Sequence, residues 1–307
     1  MPRMSAPSLH SLPALLDAAF ALWWRSLPFT APMALIGALP GLRTVLQLPT
    51  LTALQSKPDA TALAFIEPLT RADTWLLLAL GWLFALWLHT AQALVIERLR
   101  QHAPAQPLAA LGQALLRLPA VLGSTVIFLL LCALPLLPLL AFNAWLGLQA
   151  LPLPALLGLG LIAAGLASVP ICWVAVVYLF APYCSALDGR APHIAFTASR
   201  RLVHGRWWRM SLYLSIPLTI YAVAAFAAGL VPLLLAGGSL LAGDAAEPGL
   251  LARAFGPALM LTVSALGAPM IHACLIAALR ESDAVRESDT RPAETPSHRP
   301  PALPGPL

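Results

Sequence analysis

Apolar residues fall along this chain in long unbroken runs, separated by short stretches that carry nearly all the charge. A helix crossing the hydrocarbon of a bilayer needs about 20 consecutive apolar residues. Six runs meet that length: Pro28–Leu48, Thr74–Ile96, Val121–Phe142, Ala155–Ala181, Met210–Leu235 and Phe255–Leu279. Prolines interrupt several of them, Pro135 and Pro138 in the third, Pro170 in the fourth and Pro217 in the fifth, and each is expected to bend its helix. Lipid-embedded helices tolerate this when neighbouring groups take up the freed carbonyls.

A second periodicity lies between the runs. Three times a short amphipathic stretch precedes a pair of spans. The first is Leu9 to Arg25, with Leu9, Leu12, Leu16, Phe20 and Trp23 at helical spacing. The second is Pro107 to Leu118, with Leu108, Leu111, Leu115 and Leu118 on one side. The third is Pro192 to Arg209, with Ile194, Ala198 and Leu202 opposite Arg200 and His204. Units one and three share an ending, Trp23-Trp24-Arg25 and Trp207-Trp208-Arg209, and the three units close on Glu97, Asp188 and Glu281. The pattern predicts a threefold pseudo-repeat of hairpins, each introduced by a basic helix lying on the inner leaflet with its apolar stripe in the acyl boundary. Trp23, Trp24, Arg25, Arg200, Arg201, Arg206, Trp207, Trp208 and Arg209 are then the expected contacts to lipid headgroups.

Composition supports the bilayer as solvent. Of 307 residues, 59% are hydrophobic and only 10% charged, and the mean hydropathy is +0.80. Soluble domains carry about 25% charged residues. The fold class expected is therefore all-α: a polytopic transmembrane helical bundle of about six spans over residues 1–280, with interfacial helices on the cytoplasmic side. Residues 281–307, mixed in charge and then rich in proline, read as a disordered cytoplasmic tail. The N-terminus lacks a compact signal-peptide core, so the first run is expected to be retained.

Charge sets the orientation. With the N-terminus inside, fourteen basic residues fall on the inner side and four (Arg43, Lys57, Arg71 and Arg253) on the outer. The positive-inside rule then places both termini in the cytoplasm. Arg43, near the outer end of the first run, is expected to snorkel to the headgroups. The arginines between the fourth and fifth runs sit so close to the bilayer that anionic inner-leaflet headgroups, not nucleic acid, are the expected partner.

One stretch carries a resemblance. Tyr178-Leu-Phe-Ala-Pro182, Asp188-Gly-Arg-Ala-Pro192 and Ala198-Ser-Arg-Arg-Leu202, leading to Trp207-Trp208-Arg209, resemble a group of uncharacterised bacterial six-span inner-membrane proteins. That group is related to the membrane domain of glycerophosphoryl diester phosphodiesterases. The resemblance implies an inner-membrane location in a bacterium. It transfers no catalysis, because the chain has no room for a soluble phosphodiesterase domain.

Candidate chemistry is sparse. No Walker A loop, G-x-S-x-G or H-E-x-x-H occurs. Cys132, Cys172, Cys184 and Cys274 lie in or beside apolar runs with no C-x-x-C pair, and read as small hydrophobes at helix contacts. No catalytic, cofactor-binding or metal-ligating set is expected, and no cofactor. Two histidines do lie inside spans, His89 and His272, at similar distances from the inner ends of the second and sixth runs. Ionisable residues within a membrane are functional candidates by default. If the two helices are neighbours, the histidines meet, with Gln92 and Tyr178 as further polar partners. Small residues at four-residue spacing, Gly81/Ala85, Gly160/Ala164/Ser168, Ala225/Gly229 and Ser264/Ala268, are candidate close-packing faces, within the chain or in an oligomer. The leading functional expectation is a non-enzymatic inner-membrane protein with a role in envelope or lipid homeostasis. A transporter or channel for a small molecule or lipid, and a membrane-embedded lipid-modifying enzyme, are the rivals.

Overall fold

A computed structural model describes residues 11–47, 72–147, 149, 152–241 and 250–290. Every regular element among them is helical: α1 (Leu12–Gln47), α2 (Ala72–Arg100), α3 (Pro107–Ala133), α4 (Leu136–Gly147), α5 (Leu153–Tyr178), α6 (Ala181–Asp188), α7 (Pro192–Val203), α8 (Trp207–Leu241) and α9 (Leu250–Thr290). Five stretches are long and apolar enough to cross a membrane: Thr74–Arg100, Pro107–Ala133, Pro154–Asp188, Trp207–Val231 and Ala258–Ala284. Helix length and hydropathy thus support a polytopic membrane protein.

The expected boundaries change in four places. Leu12 to Gln47 is one continuous helix, so the first amphipathic stretch is not a separate interfacial element but the first half of the helix that contains Pro28–Leu48. Leu48 itself, the Arg43 side chain and residues 1–10 lie outside what is described. Pro28, Pro32 and Pro40 all sit within α1. Beside the first two, Ser26 Oγ donates to the Trp23 carbonyl at 2.8 Å and Thr30 Oγ1 to the Ser26 carbonyl at 3.0 Å, both fully buried. This local bonding satisfies hydroxyls that would otherwise be stranded in the apolar interior. The second amphipathic stretch likewise runs on into its span as α3, which begins at Pro107, where a missing N–H costs nothing.

The third run breaks instead of bending. The chain turns at Leu134–Pro135 and restarts as α4, because proline cannot supply the N–H that the helix needs there. Pro170 and Pro217, in contrast, stay inside α5 and α8. Finally, the helix that was to end at Leu279 continues to Thr290. The first ten residues of the expected disordered tail are therefore helical; residues 291–307 lie outside the described set.

The bundle has a clear centre. Of the apolar stretches of α2 and α9, 44% and 50% of the most hydrophobic window is buried, against 11%, 6% and 17% for those of α3, α5–α6 and α8. Helix α1 packs extensively along α9 and also on α2, α8 packs on α9, and α3 on α2 and α6. The interior is made of small and branched residues such as Ala91, Val95, Ile96, Ala273, Ile276 and Leu279. Large apolar side chains on the other helices face outward, among them Leu130, Leu161, Ile162, Leu166, Val223 and Phe226. An outward apolar belt of this extent is unusual for a water-soluble surface.

Close packing occurs where small residues meet bulky partners, and only partly where spacing suggested. A Cβ on Gly81 would come within 2.9 Å of Pro40 in α1. Gly160 touches only the Asn143 amide, and Ala164 and Ser168 are exposed, so that face is not an internal contact. Gly229 meets nothing within 4 Å. The tightest site is Gly267 of α9, where a Cβ would collide with the Tyr221 ring of α8.

Candidate functional site: two polar layers between three helices

The two intramembrane histidines meet. His89 of α2 and His272 of α9 face each other with Nδ1 and Nε2 3.1 Å apart and ring centroids at 5.2 Å. The other nitrogen of His272 is also engaged: Nδ1 lies 2.5 Å from the hydroxyl of Tyr183 in α6. Three side chains from three helices thus form one hydrogen-bonded chain. Gln92, one turn beyond His89, is fully buried. Neither atom of its buried amide has a hydrogen-bond partner among the described residues.

Tyr178 is not part of this chain. Its ring packs on Phe196 of α7, with centroids 5.3 Å apart. The helix stops at Tyr178, turns at Leu179–Phe180 and restarts with Pro182 in its first turn. The partner of His272 comes instead from the helix after the break, where Tyr183 lies in the first turn of α6. The sequence signal was the Ala181-Pro182-Tyr183 tripeptide, since a proline marks a helix start as readily as a bend.

A second polar layer lies eight positions further along both central helices, about 12 Å by helical rise. Glu97 of α2 accepts from Arg280 Nε of α9 at 3.1 Å, and Arg280 Nη2 donates to Asp188 of α6 at 2.9 Å. The same guanidinium reaches Asp283 at 3.3 Å. Arg100 grips Glu97 through two bonds of 2.9 Å, Gln101 adds a third at 2.8 Å, and Arg190 pairs with Asp188 at 3.0 Å. Three carboxylates and three guanidiniums balance. Arg117 of α3 donates to the carbonyls of Ala186 and Leu187, satisfying the last turn of α6. Beside this layer, Arg209 at the start of α8 pairs with Glu281 at 3.2 Å.

Each layer draws on α2, α6 and α9: His89, Tyr183 and His272 in one, Glu97, Asp188 and Arg280 in the other. Two of the acidic residues that close the sequence units therefore share one arginine, and the third is paired next to it.

The expected headgroup contacts divide. Trp23 packs inward and its indole donates to the Leu266 carbonyl at 3.0 Å, within the apolar run Ala258–Ala284 and away from its ends. Trp207 packs against the core with its indole nitrogen buried. Their neighbours Trp24 and Trp208 are 69% and 81% exposed. Both pairs are edge-to-face, with interplanar angles of 69° and 84°. Arg25, Arg200 and Arg201 are exposed, Arg206 half-exposed, and Arg209 is taken by Glu281. Helix α7 also departs from expectation. Ala195, Ala198, Ser199, Leu202 and Val203 are buried, so two of the three expected stripe residues face the protein, while Ile194 is 49% exposed. Ser199 Oγ donates to the Val177 carbonyl at 2.7 Å and ties the helix down.

All four cysteines are free thiols, and no cluster of three or more His, Cys, Asp or Glu among the described residues could hold a metal ion.

The chain His89–His272–Tyr183 can pass a proton. A neutral imidazole has one donor and one acceptor nitrogen. In one arrangement His89 Nδ1–H donates to His272 Nε2, and His272 Nδ1–H donates to the Tyr183 oxygen. In the other, Tyr183 O–H donates to His272 Nδ1, and His272 Nε2–H donates to His89 Nδ1. The first becomes the second when one proton enters at His89 Nε2 and one leaves from the Tyr183 hydroxyl. No group needs to stay charged.

Comparison with known protein families, with curated proteins and with solved structures yields no match. The site is therefore interpreted from its own chemistry.

Proposed function

We propose that this chain is a six-span, non-enzymatic protein of a bacterial inner membrane that carries a small molecule or lipid in a proton-linked manner. In this reading α1 is the sixth span, both termini are cytoplasmic, and three hairpins related by a pseudo-repeat bring α2, α6 and α9 together at the two polar layers. The observation that carries it is the hydrogen-bonded chain His89–His272–Tyr183, held by three helices inside apolar segments. Polar groups at such depth are costly and mark ion or substrate pathways. The ionic layer around Arg280 closes the inner end of that path. The fourteen-to-four distribution of basic residues supports the orientation. The likeness to six-span bacterial inner-membrane proteins rests on the Tyr178–Arg209 stretch alone.

The test is reconstitution of the full chain into liposomes holding a pH-sensitive dye, with parallel lipid-scrambling and solute-uptake assays under an imposed proton gradient. Proton movement coupled to a solute or lipid, abolished in His89→Ala/His272→Phe, supports the proposal. An inert wild-type preparation, or flux unchanged in the double variant, overturns it in favour of a non-transporting role in envelope assembly.

A further inference from the structure

The burial pattern of α7 leaves one surface unexplained by the relay. With Ala195, Ala198, Leu202 and Val203 turned into the protein, the helix presents Ile194, Arg200 and Arg201 outward, and His204 at its end is exposed as well. The left-handed turn at Gly205, φ 75°, then brings in Arg206 and the 81%-exposed Trp208 at the start of α8. Of the other arginines from Arg98 to Arg280, all whose side chains are described have a partner within the fold: Arg98 on Gln106, Arg100 on Glu97, Arg117 on two carbonyls, Arg190 on Asp188, Arg209 on Glu281, and Arg280 on three carboxylates. Arg200, Arg201 and Arg206 take part in none of these bonds.

We infer that Arg200, Arg201 and Arg206, with Trp208 beside them, form a docking surface for the phosphate groups of anionic phospholipids at the edge of the bilayer. Charge complementarity selects the partner, since guanidinium groups bind phosphate through paired donors. Trp208 selects the source. An exposed indole at the first turn of a long apolar helix is placed where aromatic side chains gather, at the junction of headgroup and hydrocarbon. A soluble anion would gain nothing from it. The chain's own segment after Thr290 is a poor occupant, because it sets Glu294 against Arg291 and Arg299. This surface is independent of the histidine relay.

The full-length protein in mixed bilayers, probed with spin-labelled phosphatidylglycerol and phosphatidylcholine, tests the assignment. Wild type should prefer phosphatidylglycerol. Arg200→Gln/Arg201→Gln/Arg206→Gln should lower that preference by up to about 10²-fold, as each of the three arginines at an anionic surface contributes roughly fivefold. The corresponding triple lysine variant should keep most of it, which separates charge from folding. The inference is overturned if wild type shows no preference. It is equally overturned if the glutamine variant retains full preference with an unchanged helical spectrum. Loss of the preference in excess inorganic phosphate would assign the surface to a soluble anion and overturn it too.

Discussion

His89 Nδ1 and His272 Nε2 lie 3.1 Å apart although 183 positions separate them in the chain. The contact closes α2 against α9, which carry the two most buried of the five long apolar stretches. It also converts two isolated intramembrane histidines into the middle of a chain that ends on Tyr183.

Tyr183→Phe isolates that terminus. The ring still packs against His272, with centroids 5.6 Å apart in the wild type, but the hydroxyl that meets Nδ1 is gone. Proton-linked flux should fall on the order of 10²-fold, the usual weight of a positioned proton-transfer group. Helical content and thermal midpoint should change little. Flux assays and circular dichroism on the same preparation check both.

Arg280→Met leaves Glu97 to Arg100 and Gln101, Asp188 to Arg190, and Asp283 without its ion pair, so three carboxylates face two guanidiniums at side chains that are 9%, 19% and 31% exposed. Removing one partner of a largely buried ion pair costs on the order of 3 kcal/mol, because the remaining charge stays desolvated. The thermal midpoint in detergent should drop clearly. Adding Asp283→Asn should restore part of it by neutralising the carboxylate that Arg280 had paired; a double variant less stable than Arg280→Met alone would count against a shared ionic layer.

Gly267→Val should destabilise by about 1–3 kcal/mol, the range for overpacking, because the new side chain meets the Tyr221 ring of α8. Tyr221→Ala in the same chain should relieve most of that loss. Gly229→Ala, with nothing within 4 Å, should be neutral or gain up to about 1 kcal/mol from helix propensity. Thermal unfolding of the four variants decides.

Reporter fusions test the orientation. A fluorescent protein fused after Thr290 should mature in the cytoplasm, and alkaline phosphatase at the same point should be inactive. The opposite pair of results would place the C-terminus outside and break the six-span arrangement.

Sequence alone determined an all-α chain with several helices long and apolar enough to cross a membrane. Its apolar runs are long enough to span, and no other solvent accommodates them. It also singled out His89 and His272, because ionisable residues stand out against an apolar background, and the acidic residues that close each unit. Tertiary structure decided what these residues touch. Helix periodicity assigns a residue to a face but not to a neighbour. The merging of the first amphipathic stretch into α1, the inward turn of α7 and the fate of Trp23 each depended on which helix packed alongside. That Tyr183 rather than Tyr178 meets His272 depended on how α6 packs against α9 after the helix break, which no pattern of apolar residues specifies. The meeting of His89 with His272 has the same origin: depth in the membrane can be counted along a sequence, but adjacency across the bundle is set only when the helices pack.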